Sequence, residues 1–591
     1  INAVAVLDTT RPFAPRLLGR IPTGWYPSAL ALSGDGKTLY VVNAKGVGED
    51  VNPRADLTGT TATGVESFTD GNFIFGTVQR VDLAGLDLGA GAATVVADNY
   101  ATQRDLDASV VPPGGAASKR ISHVIFILQE NKTFDSMLGS ASQFGPFAST
   151  TFHDATGARA TDPQYTPVSV NTQLLATAFA TAVNYYSDSD ESDAGHQFAA
   201  SGTATDYTEK TLLVKSGRGL LVNKNFEPED YPASGYIFNN AARNGVSFKD
   251  YGAMVRLAGS DTGTSTPTSL NDPTGQGAGY PASHTAAGPN DVGDVTSATQ
   301  GLGQSYFMSV PVLAALGGKN ANGEPRFDPN YPGYTFNISD QRRAREFIRD
   351  YDAMVRRGTL PQLLYVYLPN DHTGAQQATN VPAATAAQQV ADGDVALGMV
   401  VEHVMRSPVY YDATTGTGAA IFITYDDAQS TRDHIHEHRT PAIVVSPFAK
   451  PAYAAKRHYS TASIVKTEEL LLGLPPNNLG DLMATDLRDL FQPSYNGITA
   501  DKLGFNAVAA YTPSPEGRRI WQLVARLDTS AADRDSRRLG ALGRLSLAAD
   551  RLHTRAAEEH RLGTPAYRRE QAHLLDLAER AVASPRRDGD D

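Results

Sequence analysis

The sequence predicts an α/β domain on a largely parallel sheet, with a β-rich segment before it and a helical tail after it. Three observations predict this class. Continuous apolar runs of strand length, Ser122 to Leu128 and Leu363 to Leu368 among them, mark strands buried on both faces. Stretches with helical periodicity, Asp340 to Met354 and Ala384 to Met405, alternate with such runs. At either end of the chain the pattern changes, to short turn-punctuated runs first and to an Arg-, Ala- and Leu-rich stretch last.

Residues 1–115 form the first unit. Alternating apolar runs, Ala3 to Leu7 and Thr38 to Val42, are separated by Gly, Asp and Pro, and Ser33-Gly34-Asp35-Gly36-Lys37 reads as a tight turn before a strand. The Pro-Gly-Gly linker at 111–116 then leads to the α/β unit, residues 116–505. Further strands are expected at Ala420 to Thr424 and Ala442 to Val445, with polar residues just beyond the strand ends, where open α/β sheets bind ligands. Residues 257–305, rich in Gly, Ser, Thr, Asn and Pro, read either as a wall over the site or as a surface insertion. Residues 506–591 form the helical tail, with Leu539, Leu542, Leu545 and Leu547 at helical spacing.

Composition narrows the function. In 591 residues, 41% hydrophobic residues against 19% charged exclude a wholly disordered chain. Lys and Arg number 51 against 64 Asp and Glu, a net of −13, the wrong sign for gripping phosphate backbones of nucleic acid. No apolar run approaches the ~18 residues of a membrane span. The absence of cysteine removes disulfides, thiol nucleophiles and Cys-ligated metals, so any metal must sit on carboxylate, imidazole or hydroxyl groups. The chain starts at Ile1 with no signal peptide, which reads as a processed or truncated product of an exported protein, periplasmic or extracellular.

Four polar clusters stand at expected strand ends: Glu130 to Asp135, Ser189 to His196, Asn370-Asp371-His372-Thr373, and Asp426-Asp427 followed by Asp433 to Arg439. Adjacent carboxylates such as Asp426 and Asp427 repel each other unless a cation or proton intervenes, and histidines 434, 436 and 438 offer imidazole nitrogens beside them. A divalent metal site is the economical explanation; a solvated acidic turn beside a chance histidine cluster is the alternative. Walker A, G-x-G-x-x-G, H-E-x-x-H and G-x-S-x-G runs are absent from the sequence.

Taken together, the clusters resemble the phosphoesterase family of phospholipase C and acid phosphatase enzymes in the alkaline phosphatase superfamily, over roughly residues 118–495. Glu130-Asn131-Lys132-Thr133-Phe134-Asp135 looks like that family's Glu-Asn-x-Ser/Thr-Phe-Asp motif, and Asp426-Asp427 with Asp433-His434 resembles its acidic pair and Asp-His. Gln429-Ser430 departs from the Gly-Gly often found between them. Runs around Ser192, Asp206, Asp371 and His438 are similar to a subgroup that joins an N-terminal YVTN-type β-propeller to the phosphatase-like domain. Residues 27–43 resemble one blade of such a propeller, a β-meander being the alternative, and the open edges of residues 1–110 invite pairing with missing blades or another chain.

The resemblance implies an alkaline-phosphatase-like sheet flanked by helices and metal-dependent hydrolysis of phosphate esters, by a phosphomonoesterase or a phospholipase C-like phosphodiesterase. It implies Ser192 as nucleophile, with Thr133 the competing hydroxyl, and His372 and His434 as further catalytic groups. It also implies Glu130, Asn131, Asp371, Asp426, Asp427 and His438 as ligands of one or two divalent ions among Zn, Mn, Ca, Mg and Fe. A non-catalytic binding protein on the same scaffold is the alternative reading.

Overall fold

The computed structural model describes the chain except for residues 1–2, 12, 25–26, 45–75, 99–106, 154–158, 162–164, 190, 212–230, 254–314, 317, 329–330, 332, 335, 337–338, 375–383, 429–432, 437, 508–512, 528–535 and 584–591. The polar insertion at 257–305 and the Gln429-Ser430 departure therefore lie outside the described residues.

The first strands follow the sequence pattern closely. β1 (Ala3–Asp8) and β2 (Arg16–Pro22) form an antiparallel hairpin. β3 (Pro27–Leu32), β4 (Thr38–Asn43) and β5 (Thr77–Asp82) form a three-stranded antiparallel meander, and α1 (Leu88–Asp98) packs on β2. Ile21, Leu39, Val41 and Val81 make a small core of their own. Leu30 and Leu32 of β3 stay exposed.

Among the described residues the main sheet has eight strands. β6 (Ile121–Gln129) is central, and the other strands are β7 (Ala180–Ala182), β8 (Phe248–Tyr251), β9 (Leu363–Leu368), β10 (Tyr411–Asp412), β11 (Thr417–Tyr425), β12 (Ala442–Val445) and β13 (Tyr453–Ala455). Their order is β8-β9-β6-β11-β12-β7-β13, with β10 paired to the start of β11. The parallel expectation holds for β8, β9, β6 and β11, and β7 and β13 point the same way. It fails at β10 and β12, which run antiparallel to β11, so the sheet is mixed. A fully buried apolar strand reads alike in either direction, which is why the sequence pattern misses the reversal.

Val124 through Leu128 have no exposed surface, because helices cover both faces of the sheet. These include α2 (Ser192–Ser201), α3 (Asp340–Arg357), α4 (Ala386–Arg406) and α5 (Thr461–Leu472). Ser339 caps α3 by accepting from the Gln341 N–H, and Thr385 and Gln388 close a capping box on α4. The tail helices α6 (Ser536–Glu558) and α7 (Pro565–Ala583) send Leu539, Leu542, Leu547 and Ala578 into the main core. Trp521 Nε1 donates to the Ala384 carbonyl at 2.7 Å, tying the tail to the start of α4.

Candidate active site

In the sheet register Gln129 lies between Leu368 and Tyr425, so β6, β9 and β11 end at one level. The residues that follow them, Glu130, Asp371 and Asp426, thereby share one edge although almost 300 positions separate the first from the last. The turns are stitched together reciprocally. The Asp426 N–H donates to the Gln129 carbonyl at 3.1 Å, and the Asn131 N–H donates to Asp426 Oδ1 at 2.9 Å.

Ser192 reaches this edge as the first residue of α2. Its Oγ donates to Asp427 Oδ2 at 2.8 Å and faces Asn131 Nδ2 at 3.5 Å. The Ala194 N–H donates to Glu191 Oε1 at 2.9 Å, which anchors the helix start. Gly195 permits the approach, since a Cβ there would stand 2.6 Å from the Asp426 carbonyl oxygen. A helix N-terminus favours negative charge, so a phosphoryl group beside Ser192 would meet a favourable field.

One turn further along α2, His196 places Nε2 3.2 Å from Glu130 Oε1 and 3.8 Å from Asp426 Oδ2. The ligand atoms of Glu130, His196 and Asp426 all lie within 4.8 Å of one another, and all three side chains are buried. Tyr367 donates its hydroxyl to Glu130 Oε1 and sets its ring edge-on to His196. Asp426 Oδ2 is enclosed and meets no hydrogen-bond donor among the described residues. An ionised oxygen so placed is costly unless a cation meets it, and two carboxylates with one imidazole make a donor set that a divalent ion accepts.

The other expected site residues lie elsewhere on the edge. Asp371 Oδ2 accepts from Gln129 Nε2 at 3.0 Å and from the Tyr425 hydroxyl at 3.1 Å. Its Oδ1 is pressed against Gly393 of α4, where a Cβ would overlap it. Burial, with Asp340 nearby, lifts Asp371 well above the usual carboxylate range against the pull of Lys132. His372 is buried against the rings of Tyr334 and Phe336, its Nδ1 3.0 Å from the Thr373 carbonyl. Thr373 adopts a φ of 64°, a strained value for a β-branched residue. His438 packs beside His436, its backbone carbonyl accepting from the Ser187 N–H at 2.8 Å.

His434 belongs to a second acidic group and not to the Ser192 cluster. Its Nδ1 faces Asp135 Oδ2, and its Nε2 faces the Pro146 carbonyl at 2.9 Å. The Pro146 carbonyl can only accept, and an ionised Asp135 accepts too, an arrangement that the imidazolium form satisfies at both nitrogens. Burial would lower its pKa, but the hydrogen bond and charge of Asp135 hold it above the ordinary histidine value. Arg439 completes this group, with Nε 2.9 Å from Asp433 Oδ1 and a second nitrogen 3.3 Å from Asp135 Oδ1. The Ile435 and His436 N–H groups also donate to Asp433 Oδ1. Asp135, Asp433 and His434 are thus joined by protein donors into a clasp between the turn after β6 and the loop before β12.

Two participants are missing from the sequence reading. His196 was visible only as the end of the Ser192 run, although Ser192 and His196 stand four residues apart and so on one helix face. Lys132 is fully buried, and its Nζ donates to the Asn131 carbonyl at 3.2 Å and to Asn131 Oδ1 at 3.3 Å. Its place in the motif carries no signal of where the side chain goes.

Several solved structures are similar to this chain. A protein in the alkaline phosphatase superfamily from Vibrio parahaemolyticus is 13% identical, with 66% of this chain and 77% of that one covered and a TM-score of 0.37. A phosphonate monoester hydrolase from Silicibacter pomeroyi is 14% identical over 64% and 78% of the two chains, with a TM-score of 0.31. That of Agrobacterium radiobacter is 12% identical over 64% and 78%, with a TM-score of 0.33. No curated protein matches the sequence. Residues 121–475, more than half of the chain and the stretch that carries every group described above, match the model of the Phosphoesterase family, and the chain belongs to that family.

Proposed function

We propose that the chain hydrolyses phosphate esters at a divalent-metal centre, with Ser192 as the nucleophile. The observation that carries this reading is the meeting of Ser192, Asn131 and Asp427 beside the buried group Glu130, His196 and Asp426. Glu130, Asp426 and His196, with Asp427 alongside, would hold the ion. When bound, it would lower the pKa of the serine hydroxyl and offset charge on the phosphoryl oxygens.

The protein groups divide the remaining work. Asp427 orients the Ser192 hydroxyl and is placed to receive its proton as the Oγ–phosphorus bond forms and the bond to the leaving oxygen breaks. Asn131 Nδ2 points toward the same oxygen and is a donor for the phosphoryl group. The start of α2 adds its field. In the second half, water attacks the phosphoserine and the serine oxygen takes back a proton.

Phosphomonoesters and phosphodiesters both fit this chemistry, and the pairing of the Ser192 hydroxyl with the Asp427 carboxylate differs from the Ser-His-acid pattern more typical of carboxyl-ester hydrolysis. The test is elemental analysis of purified protein together with nitrophenyl phosphate turnover before and after chelation. Stoichiometric metal, activity lost on chelation, and retained configuration at phosphorus are expected. A metal-free protein that turns over only carboxylic esters overturns the reading.

A further inference from the structure

Trp521 of the tail is 2% exposed, and its indole N–H, which can only donate, meets the Ala384 carbonyl at 2.7 Å. Ala384 stands just before Thr385, the residue that caps α4. Nε2 of Gln389, in the first turn of that helix, reaches the same carbonyl at 3.4 Å. Gln389 is fully buried and directs both ends of its amide at one residue of the loop that follows β9. Its Oε1 accepts from the Gly374 N–H at 2.8 Å, and its Nε2 donates to the Gly374 carbonyl at 2.9 Å.

Gln389 shares its helix face with Asp392 and Gly393, three and four residues on. Asp392 Oδ2 accepts from Asn370 Nδ2 at 2.8 Å and from the Asp340 N–H at 2.7 Å, while Ser339 Oγ and Gln341 Nε2 donate to its Oδ1 at 2.6 Å and 2.9 Å. Gly393 lies against Asp371. One face of α4 therefore holds the loop 370–374 at Asn370, Asp371 and Gly374. The loop carries that position to the edge of the sheet, because Asp371 Oδ2 accepts from Gln129 Nε2 and the Tyr425 hydroxyl, on the residues directly before Glu130 and Asp426. Gly543 of α6 packs on the same end of α4. A Cβ there would lie 3.6 Å from that of Ala386 and 2.9 Å from the hydroxyl of Tyr165, whose N–H donates to the Ser136 carbonyl at 2.9 Å.

We propose that Trp521 and Gln389 are positioning residues of the metal centre, and that through them the helical tail is a working part of the active site. This rests on the metal-dependent reading above and deepens it. Neither residue is a ligand or a catalytic group. Trp521 sets the start of α4, Gln389 sets the loop on that helix, and Asp371 carries the loop's position to Gln129 and Tyr425. His196 comes from α2 and is not held by this route. A shift of α4 therefore moves Glu130 and Asp426 relative to His196 and opens the ligand set, as loss of an outer hydrogen-bond partner does at metal sites.

The experiment is a Mn²⁺ titration of chelator-treated, full-length protein, reading Kd from the spin resonance of free Mn²⁺ well below the melting temperature, with circular dichroism to confirm folding. Trp521→Phe keeps a ring and removes the donor, and Gln389→Met keeps the length and removes the amide. Gln389→Met is expected to weaken Mn²⁺ binding about 10-fold and Trp521→Phe about 3-fold, the low end of what outer partners of metal ligands contribute. The double variant is expected to fall short of the ~30-fold product, since both residues act on one loop. Leu547→Ala, which loosens the packing of the tail and removes no hydrogen bond, is expected to lower Tm and leave Kd unchanged. Should Gln389→Met not fold, Trp521→Phe beside Leu547→Ala carries the test alone. Folded variants that bind Mn²⁺ as wild type does overturn the inference and leave the metal reading intact. A full product in the double variant, or a Leu547→Ala Kd as weak as that of the positioning variants, overturns it as well. No bound ion in folded wild type overturns the metal reading itself and this inference with it.

Discussion

Ser192 Oγ lies 2.8 Å from Asp427 Oδ2, a contact between residues 235 positions apart in the chain. It distinguishes Ser192 from Thr133, whose Oγ1 accepts from the Ser136 N–H at 3.3 Å and caps a short helix. Ser192→Ala is expected to lower nitrophenyl phosphate turnover by about 10³-fold or more with metal content unchanged. Thr133→Ala is expected to cost about 1 kcal/mol in denaturant unfolding, as the loss of a cap does. Comparing turnover, metal content and unfolding of the two variants checks the assignment, and a fully active Ser192→Ala refutes it.

Metal should stabilise the native state as well as activate it, because Glu130, His196 and Asp426 come together only on folding. At an ion concentration a hundred times Kd the gain is about 2.7 kcal/mol. Chelation is therefore expected to lower the Tm of wild type and to leave that of Asp426→Asn unchanged. Calorimetric scans with and without chelator decide this; equal sensitivity in both proteins would count against Asp426 as a ligand.

Gly393 lets helix α4 approach Asp371 Oδ1. In Gly393→Ala the added methyl must displace that carboxylate or the helix, and overpacking of this kind costs about 1–3 kcal/mol. Thermal melts should show the loss, and Asp371→Asn should not reproduce it, because asparagine keeps the shape. A Gly393→Ala protein as stable as wild type would mean that the contact is looser than described.

His434 gives a pH dependence with a definite sign. Its folded pKa is raised, so the imidazolium–Asp135 bond contributes fully below the unfolded histidine value of about 6.5 and is lost as pH rises through the folded value. His434→Gln should therefore lose more stability relative to wild type at pH 5.5 than at pH 8.5, by about 1.5–3 kcal/mol at the lower pH. Urea unfolding at the two pH values is the measurement. A gap that widens as pH rises would reverse the assignment.

Much of the fold is legible in the sequence because burial on both faces leaves an unmistakable mark. The strands at 363–368 and 442–445 fall where their apolar runs do, and those at 121–129 and 417–425 extend theirs by a few residues. Polar residues directly after such runs point to Glu130, Asp371 and Asp426 for the same reason. What is illegible depends on distant partners. Nothing local tells that His434 turns to Asp135 and Pro146, that Asp371 is held by Tyr425, or that His196 faces Glu130. The direction of β12 is hidden too, since Ala442-Ile443-Val444-Val445 would suit a parallel strand equally well.

That reversed strand has a consequence for how the edge comes apart. Because β12 returns antiparallel to β11, the chain leaves the sheet at Asp426 and re-enters it after Pro441 at the same end. The acidic pair, the clasp at Asp433, His434 and Arg439, and the His438 carbonyl therefore belong to a single loop tethered at both ends. Peeling β12 away would release all of them in one step, and these groups should exchange their amide hydrogens as one cooperative unit. Loss of catalytic competence and loss of the clasp would then be the same event, arriving before the interior of β6 opens.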